Sequence, residues 1–325
     1  MFNARPEKQS TRAICMHVRQ PLIDETLVLR LLTTQFPQWA DLPVRRVASS
    51  GWDNRTFRLG EQLIIRLPSA EEYASQVDRE HRWLPALAPS LPLPIPEPIA
   101  SGKPEHGYPW KWSIYRWIEG ETADPDRIAN LTDFASSLAH FLRQLQGIDS
   151  AGGPLSGSHN FYRGGSLLTY DNETREAIAS LSGKVDVDAA NNVWIAAIAT
   201  NWTGQPVWLH GDVSIGNLLV TEGKLSAVID FGQMAVGDPA CDLAIAWTIF
   251  SGESREAFQA ILALDAGTWA RGRGWAFWKA LIVAAGIAET NTEEGRRCWR
   301  TIKEIITDHG RTETWPIIRI NDNPK

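Results

Sequence analysis

The hydrophobic pattern switches between helix and strand periods over the first third of the chain, then turns helical. A polar, charged opening around Arg5 to Ser10 is expected to be poorly ordered, and the stretch from roughly Asp24 to Gln35 predicts one amphipathic helix. Short strand-like runs follow at Val44 to Val47, Thr56 to Leu59 and Leu63 to Leu67, separated by Ser49 to Asn54 and by Gly60-Glu61. Val77, Trp83, Leu84 and Leu87 then recur at helical intervals across Ser75 to Leu87, with Pro85 expected to end or bend that helix. The proline-rich Leu91 to Pro98 must be extended and leads into a predicted strand at Ile99 to Ser101, with another at Trp112 to Ile118.

After Gly120 the period becomes that of helices. Thr132 to Leu145 places Phe134, Leu138, Phe141, Leu142 and Leu145 on one core-facing stripe. Further helices are expected near 173–181, 189–201, 255–264, 275–289 and 293–307, and the glycine-rich Asn160 to Gly165 reads as a loop bordering a cleft. This change of period divides the chain into an N-terminal lobe, residues 1–118, and a helical C-terminal lobe, residues 119–325, with ligands expected in the cleft between them.

Composition narrows the class. The 325 residues are 43% hydrophobic and 22% charged, ordinary values for a water-soluble globular protein, and long enough for two lobes. A net charge of −6 argues against a nucleic-acid partner and suits a cationic or neutral small molecule. Cys15, Cys241 and Cys298 are widely spaced, which points to a reducing compartment without a disulfide framework or a zinc site. Residues 1–20 lack the apolar core of a signal peptide and no long apolar run is found, so the expected location is the cytoplasm, without a membrane partner. Oligomeric state is left open.

The candidate chemistry lies in His210-Gly211-Asp212-Val213-Ser214-Ile215-Gly216-Asn217 and in Asp230-Phe231-Gly232. In kinases a catalytic-loop Asp accepts the proton of the substrate hydroxyl, and an Asn five residues later holds magnesium. The Asp of an Asp-Phe-Gly turn holds the metal against the nucleotide phosphates. Asp212, Asn217 and Asp230 reproduce those three positions. Asn217 to Val220 and Ala227 to Ile229 read as strands around a Glu222-Gly223-Lys224 turn, a hairpin that would return Asp230 beside Asn217. The predicted metal is Mg2+, which favours hard oxygen donors.

With Gly237-Asp238-Pro239-Ala240-Cys241-Asp242-Leu243-Ala244 added, the sequence resembles the aminoglycoside phosphotransferase family, most strongly over 207–247 and more loosely from about Arg45 to the C-terminal helices. Macrolide phosphotransferases and several metabolic small-molecule kinases are relatives of that family. The resemblance implies an α+β, bilobal protein-kinase-like fold, with a small antiparallel-sheet N-lobe and a larger, mainly helical C-lobe. It also implies transfer of the γ-phosphate of ATP or GTP to a hydroxyl of a small molecule. His210 is expected to support the catalytic loop, Asp242 to brace it, and Asp238 to cap the helix that begins at Pro239.

Arg66 departs from the commonest pattern, which has Lys at this strand position to touch the nucleotide phosphates. Alternation puts Ile64 and Arg66 on one face of the strand, with Leu63, Ile65 and Leu67 on the other. Arg66 is expected to bind phosphate and to pair with Glu80. Ser50, Gly51 and Trp52 occupy the place of the phosphate-covering loop. Tyr115, Arg116, Trp117 and Ile118 form the expected hinge, where adenine would bond to backbone groups of Arg116 and Ile118. Glu119, Glu121 and Asp171 are candidate contacts for a polycationic acceptor such as an aminoglycoside, while macrolides and metabolic alcohols stay open. A second class, a catalytically silent nucleotide-binding module, would normally have lost the base or a metal ligand; this chain keeps all three.

Overall fold

The structure, a computed structural model, describes residues 22–47, 53–286 and 293–313. The expected disordered opening, Cys15 and the loop residues Ser50, Gly51 and Trp52 lie outside those ranges. Helix α1 (Glu25–Gln35) begins where the Asp24 carboxylate accepts the Leu27 amide at 2.8 Å, satisfying one of the free N–H groups of the first turn. Strands β1 (Val44–Arg46), β2 (Asn54–Leu59), β3 (Leu63–Pro68), β4 (Pro98–Gly102) and β5 (Trp112–Arg116) form one antiparallel sheet in the order β1-β2-β3-β5-β4. Leu27, Val28, Leu31 and Leu32 of α1 pack on Phe57, Leu59, Ile65, Leu67 and Ile114, closing one face of the sheet. The strand period therefore leaves Ile64 and Arg66 of β3 on the opposite face, which is the face that meets the cleft.

The short helix α2 (Glu71–Ala74) leads into α3 (Gln76–Leu87). That helix does not stop at Pro85: burial of Leu84 and Leu87 in the larger core offsets the missing hydrogen bond of one proline near its end. The strand expected to reach Ile118 ends at Arg116. The Trp117 amide donates instead to the Gln62 carbonyl at 2.8 Å, and the chain turns at Gly120, φ +142°, into the second lobe.

There, β6 (Glu121–Thr122) precedes α4 (Leu131–Gln146), α5 (Asp171–Ser180), α6 (Val187–Ile198) and β7 (Val207–Leu209). A hairpin of β8 (Leu218–Thr221) and β9 (Lys224–Val228) follows, and then β10 (Ala235–Gly237). Strands pair in the orders β6-β8-β9 and β10-β7. Helices α7 (Ile245–Thr248), α8 (Gly252–Leu262), α9 (Ala266–Gly286) and α10 (Glu293–Glu313) complete the lobe. No described helix is long and apolar enough to cross a membrane.

Helix α9 starts nine residues before the sequence pattern suggested, because Gly267, Gly272 and Gly274 depress helix propensity while packing overrides it. A Cβ at Gly272 would stand 2.7 Å from that of Leu243, so the glycine admits close approach to the segment that follows Asp-Phe-Gly. At the start of α9, Asp265 accepts the Thr268 amide at 2.9 Å and its hydroxyl at 2.5 Å. The Thr268 hydroxyl in particular holds the Asp265 carboxyl below the usual aspartate value of 3.8.

Asp265→Ala is expected to cost about 1 kcal/mol of stability by loss of this cap, read from the midpoint of denaturant unfolding. A carboxyl depressed in the folded state stabilises above its unfolded pKa and loses that contribution as pH falls through the folded one. The gap between parent and variant should therefore be constant near neutrality and close as pH drops below 3.8. A gap unchanged at pH about 2 would mean that the ionised cap is not its source.

Candidate active site

The hairpin β8–β9 places the two predicted metal ligands. Its turn is made by Glu222, φ +53°, and Gly223, φ +72°, the two positive φ values of the tight turn that suits a twisted hairpin. Leu218 pairs with Val228, and one step further the Ile229 amide donates to the Asn217 carbonyl at 2.9 Å. Asp230 thus emerges next to Asn217. Its own φ of +67° is left-handed, which Asp tolerates better than most residues, and it turns the carboxylate into the cleft.

The catalytic loop is held from beneath. Asp242 is fully buried, and its two carboxylate oxygens accept the amides of His210 and Gly211, each at 2.8 Å. Burial pushes the Asp242 carboxyl up, opposed by His210 and those two amides. The His210 ring accepts the Asp212 amide on Nδ1 at 3.1 Å and meets the Ile229 carbonyl through Nε2 at 3.0 Å. An amide can only donate and a carbonyl only accept, so the contacts assign the neutral Nε2–H tautomer. His210 therefore ties Asp212 to the residue before Asp230. Glycine is required at Gly211 because its φ is +89° and a Cβ there would lie 2.2 Å from the Gln233 carbonyl oxygen.

Asn217 Nδ2 donates to the Asp212 carbonyl at 2.9 Å and to its Oδ2 at 3.1 Å. That contact fixes the candidate base and leaves Asn217 Oδ1 for another partner. Arg66 reaches across the cleft from β3: Nη2 donates to Asp230 Oδ1 at 2.6 Å, and Nη1 to Glu80 Oε1 at 3.3 Å. The expected Arg66–Glu80 contact is therefore present, and Asp230 joins it. Burial opposes ionisation of Asp230 most strongly, but the Arg66 charge and hydrogen bond hold its carboxyl below the usual value. Two further contacts of this cluster were missed in the sequence. Asp53 Oδ2 lies 3.9 Å from Nη2, and its carboxyl is pushed up by burial and by the nearby Asp230. Tyr115 donates its hydroxyl to Glu80 Oε2, so this residue works through its side chain as well as through the hinge backbone.

These groups open on a cavity of about 350 Å³ lined by Arg66, Asp53, Asn217 and Asp230. Tyr115, Arg116, Trp117 and Ile118 line its far end. The Arg116 amide is already given to the Glu97 carbonyl at 2.9 Å and that of Trp117 to Gln62, whereas the Ile118 amide meets no acceptor among the described residues. Asp238 caps the turn beginning at Pro239, accepting the Ala240 amide at 3.1 Å, and it also pairs with buried Arg271 at 2.6 Å. The carboxylates proposed for a polycationic acceptor are committed elsewhere. Glu119 is exposed beside Arg58, Glu121 bonds Arg127 at 2.6 Å, and Asp171 accepts the Trp194 indole at 2.7 Å and Arg175 at 2.8 Å. None of the three lines this cavity.

The family profile described as "Phosphotransferase enzyme family" matches residues 44–279. An aminoglycoside 3'-phosphotransferase of Salmonella typhimurium is 30% identical over 151 residues, covering 42% of this chain and 51% of that protein. The match thus spans about half the length of that relative. Among solved structures, the GDP complex of a wild-type aminoglycoside 2'-phosphotransferase superposes with a TM-score of 0.67 at 17% identity, over 88% of this chain and 100% of that one. A macrolide 2'-phosphotransferase from Brachybacterium faecium gives 0.56 at 20% identity, over 85% and 97%. The two structural likenesses establish a shared bilobal α+β fold.

Asp242→Asn keeps one acceptor oxygen and turns an NH2 group toward the second amide. One buried N–H of the His210–Gly211 pair then has no partner, at a cost of about 1–3 kcal/mol in unfolding free energy. Chemical denaturation of parent and variant measures it. A change within experimental scatter would show that the loop holds its shape without the brace.

Proposed function

The chain belongs to the phosphotransferase enzyme family, and on that footing we propose that it moves the γ-phosphate of ATP or GTP to a hydroxyl of a small molecule. The observation that carries this reading is the convergence of Asn217, Asp230 and Arg66 on one cavity, with Asp212 joined to Asn217 by hydrogen bonds and oriented by His210. The residues also fit a magnesium ion. Asn217 Oδ1 and the second oxygen of Asp230 are hard donors facing one space, and no group of three or more His, Cys, Asp or Glu able to hold a metal occurs among the described residues. Two protein oxygens completed by phosphate oxygens and water is a set that magnesium accepts. When bound, the ion neutralises charge on the phosphates.

Asp212 receives the proton of the acceptor hydroxyl as its oxygen forms a bond to the γ-phosphorus. The bond from that phosphorus to the bridging oxygen breaks, and the nucleoside diphosphate leaves with the electron pair. Arg66 supplies a guanidinium to phosphate oxygens, held in place by Glu80, which Tyr115 secures in turn. The nucleobase takes the free Ile118 amide and the backbone of Arg116. A nucleotide donor of this kind suits the cytoplasm. Aminoglycosides and macrolides, the molecules in the names of its relatives, are acceptors to screen first, together with metabolic alcohols. A catalytically silent module is disfavoured because base and metal ligands are all present and correctly joined.

Asp212→Asn should lower magnesium-dependent transfer by about 10²–10⁴-fold while leaving nucleotide affinity by calorimetry unchanged. Turnover equal to the parent would remove Asp212 from the chemistry.

Arg66→Ala should raise the nucleotide KM and lower kcat together, and Arg66→Lys should recover only part, since an ammonium cannot make a two-pronged contact. Normal turnover of Arg66→Ala at low nucleotide concentration would assign the phosphates to another cation.

A further inference from the structure

Buried guanidinium groups in this protein are matched by carboxylates. Arg66 has Asp230 and Glu80, Arg255 has Glu304 and Asp308, and Arg271 has Asp238. Arg79 lacks a carboxylate but donates to the carbonyls of His159 and Gly232 at 3.1 and 2.6 Å. Arg163 follows neither pattern. It is 9% exposed, and its Nε donates to Gln233 Oε1 at 2.9 Å. Its two Nη groups have no acceptor among the described residues, and no carboxylate stands within the 4.0 Å of an ion pair. Neither Nη is sealed from solvent. An unpaired buried cation is costly, so its outward edge calls for a ligand.

The neighbouring acids do not serve. Asp242 feels the Arg163 charge, yet both its oxygens are taken by the His210 and Gly211 amides. Glu173 is an exposed residue whose Oε2 accepts the Trp278 indole at 2.7 Å. The guanidinium is fixed over aromatic faces, 4.9 Å from the centroid of Trp275 and 5.5 Å from that of Trp278. It lies beside the catalytic loop, because Gln233 packs so closely on Gly211, the residue before Asp212, that no Cβ would fit between them. It is also outside the set of residues that line the nucleotide cavity. Within the polar, glycine-rich segment around it, three large hydrophobic side chains are exposed: Leu155 by 66%, Tyr162 by 40% and Leu168 by 56%.

We propose that Arg163 anchors the acceptor, and that the acceptor is a partly apolar hydroxylated molecule carrying a carboxylate. The carboxylate takes the two Nη groups, and the apolar body lies along the rim formed by Tyr162 and Leu168. This assignment rests on the phosphotransferase reading of the same site and names its substrate class. A cationic acceptor would meet a guanidinium already seated on the Trp275 and Trp278 rings, the opposite of what the −6 net charge led one to expect.

The test uses the full chain and three matched probes: 8-hydroxyoctanoate, its methyl ester and 8-amino-1-octanol. Calorimetry should find the acid bound more tightly than the ester or the amine by about ten- to a hundredfold, the range of a charge-assisted pair. Arg163→Gln should abolish that preference and leave ester and nucleotide affinities unchanged, while Arg163→Lys keeps part of it. If Arg163→Gln lowers the Tm sharply, the acid–ester–amine ranking of the parent and the Arg163→Lys variant decide instead. Equal affinity for the three probes, no binding of any, or full acid affinity in Arg163→Gln overturns the proposal. Transfer to kanamycin at equal rates in parent and Arg163→Gln overturns it too, while leaving phosphotransfer standing. Acid binding that depends on Arg163, with no phosphate moved to any acceptor, upholds the anion site and counts against the phosphotransferase reading.

Discussion

Four carboxylates, from Asp53, Glu80, Asp212 and Asp230, converge on one cleft, and the Arg66 guanidinium makes that crowd tolerable. Burial raises the Asp53 carboxyl most, and the like charge of Asp230 adds to it, since carboxylates in one space disfavour each other's ionisation. Arg66 reaches three of the four, at 2.6, 3.3 and 3.9 Å, from a strand whose other face is buried under α1. Because Glu80 belongs to α3 and Asp230 to the end of the β8–β9 hairpin, the same side chain bridges the two lobes. The sheet, α3 and the hairpin that carries the proposed metal ligands are thus set relative to one another around one cation.

The catalytic loop depends on a second buried charge of opposite sign. Asp242 organises the backbone through Gly211 and His210, and His210 passes that order to Asp212 and to the chain just before Asp230. Arg79 extends the arrangement by holding the Gly232 carbonyl together with that of His159, so the loop around Arg163 is tied to the same turn. Positions that look independent along the chain form one hydrogen-bonded unit. Such a unit supplies preorganisation, which is most of what a loose phosphoryl-transfer transition state asks of a protein.

Local features were legible in the sequence. The hairpin could be read because its turn and both strands lie within thirteen residues, and α4 because its apolar stripe is continuous. Strands β6, β7 and β10 are two or three residues long and exist only through distant partners, so no local period announced them. The start of α9 was hidden by glycines whose purpose is close packing. In the site, Asp212, Asn217 and Asp230 were visible as spacing, and Arg66 through strand alternation. Asp53 and the Tyr115 hydroxyl were not, because what matters in them is the direction of a side chain in space. For Glu119, Glu121 and Asp171 the acidic character was visible, but their partners Arg58, Arg127, Trp194 and Arg175 were not. Arg163 was invisible for a deeper reason: the role proposed for it rests on two Nη groups without an acceptor among the described residues, which a sequence cannot display.

If ion and nucleotide bind as proposed, the 2.6 Å contact between Arg66 and Asp230 would make the site a coincidence detector. A lone divalent ion seeking Asp230 must compete with a guanidinium that has only Glu80 and Asp53 to fall back on. A lone nucleotide would draw Arg66 toward its phosphates and leave Asp230 without its nearest positive charge. With both present, each would relieve the charge imbalance that the other creates, Arg66 facing phosphate and Asp230 the ion. On that reading, charge balance would favour joint loading over either ligand singly.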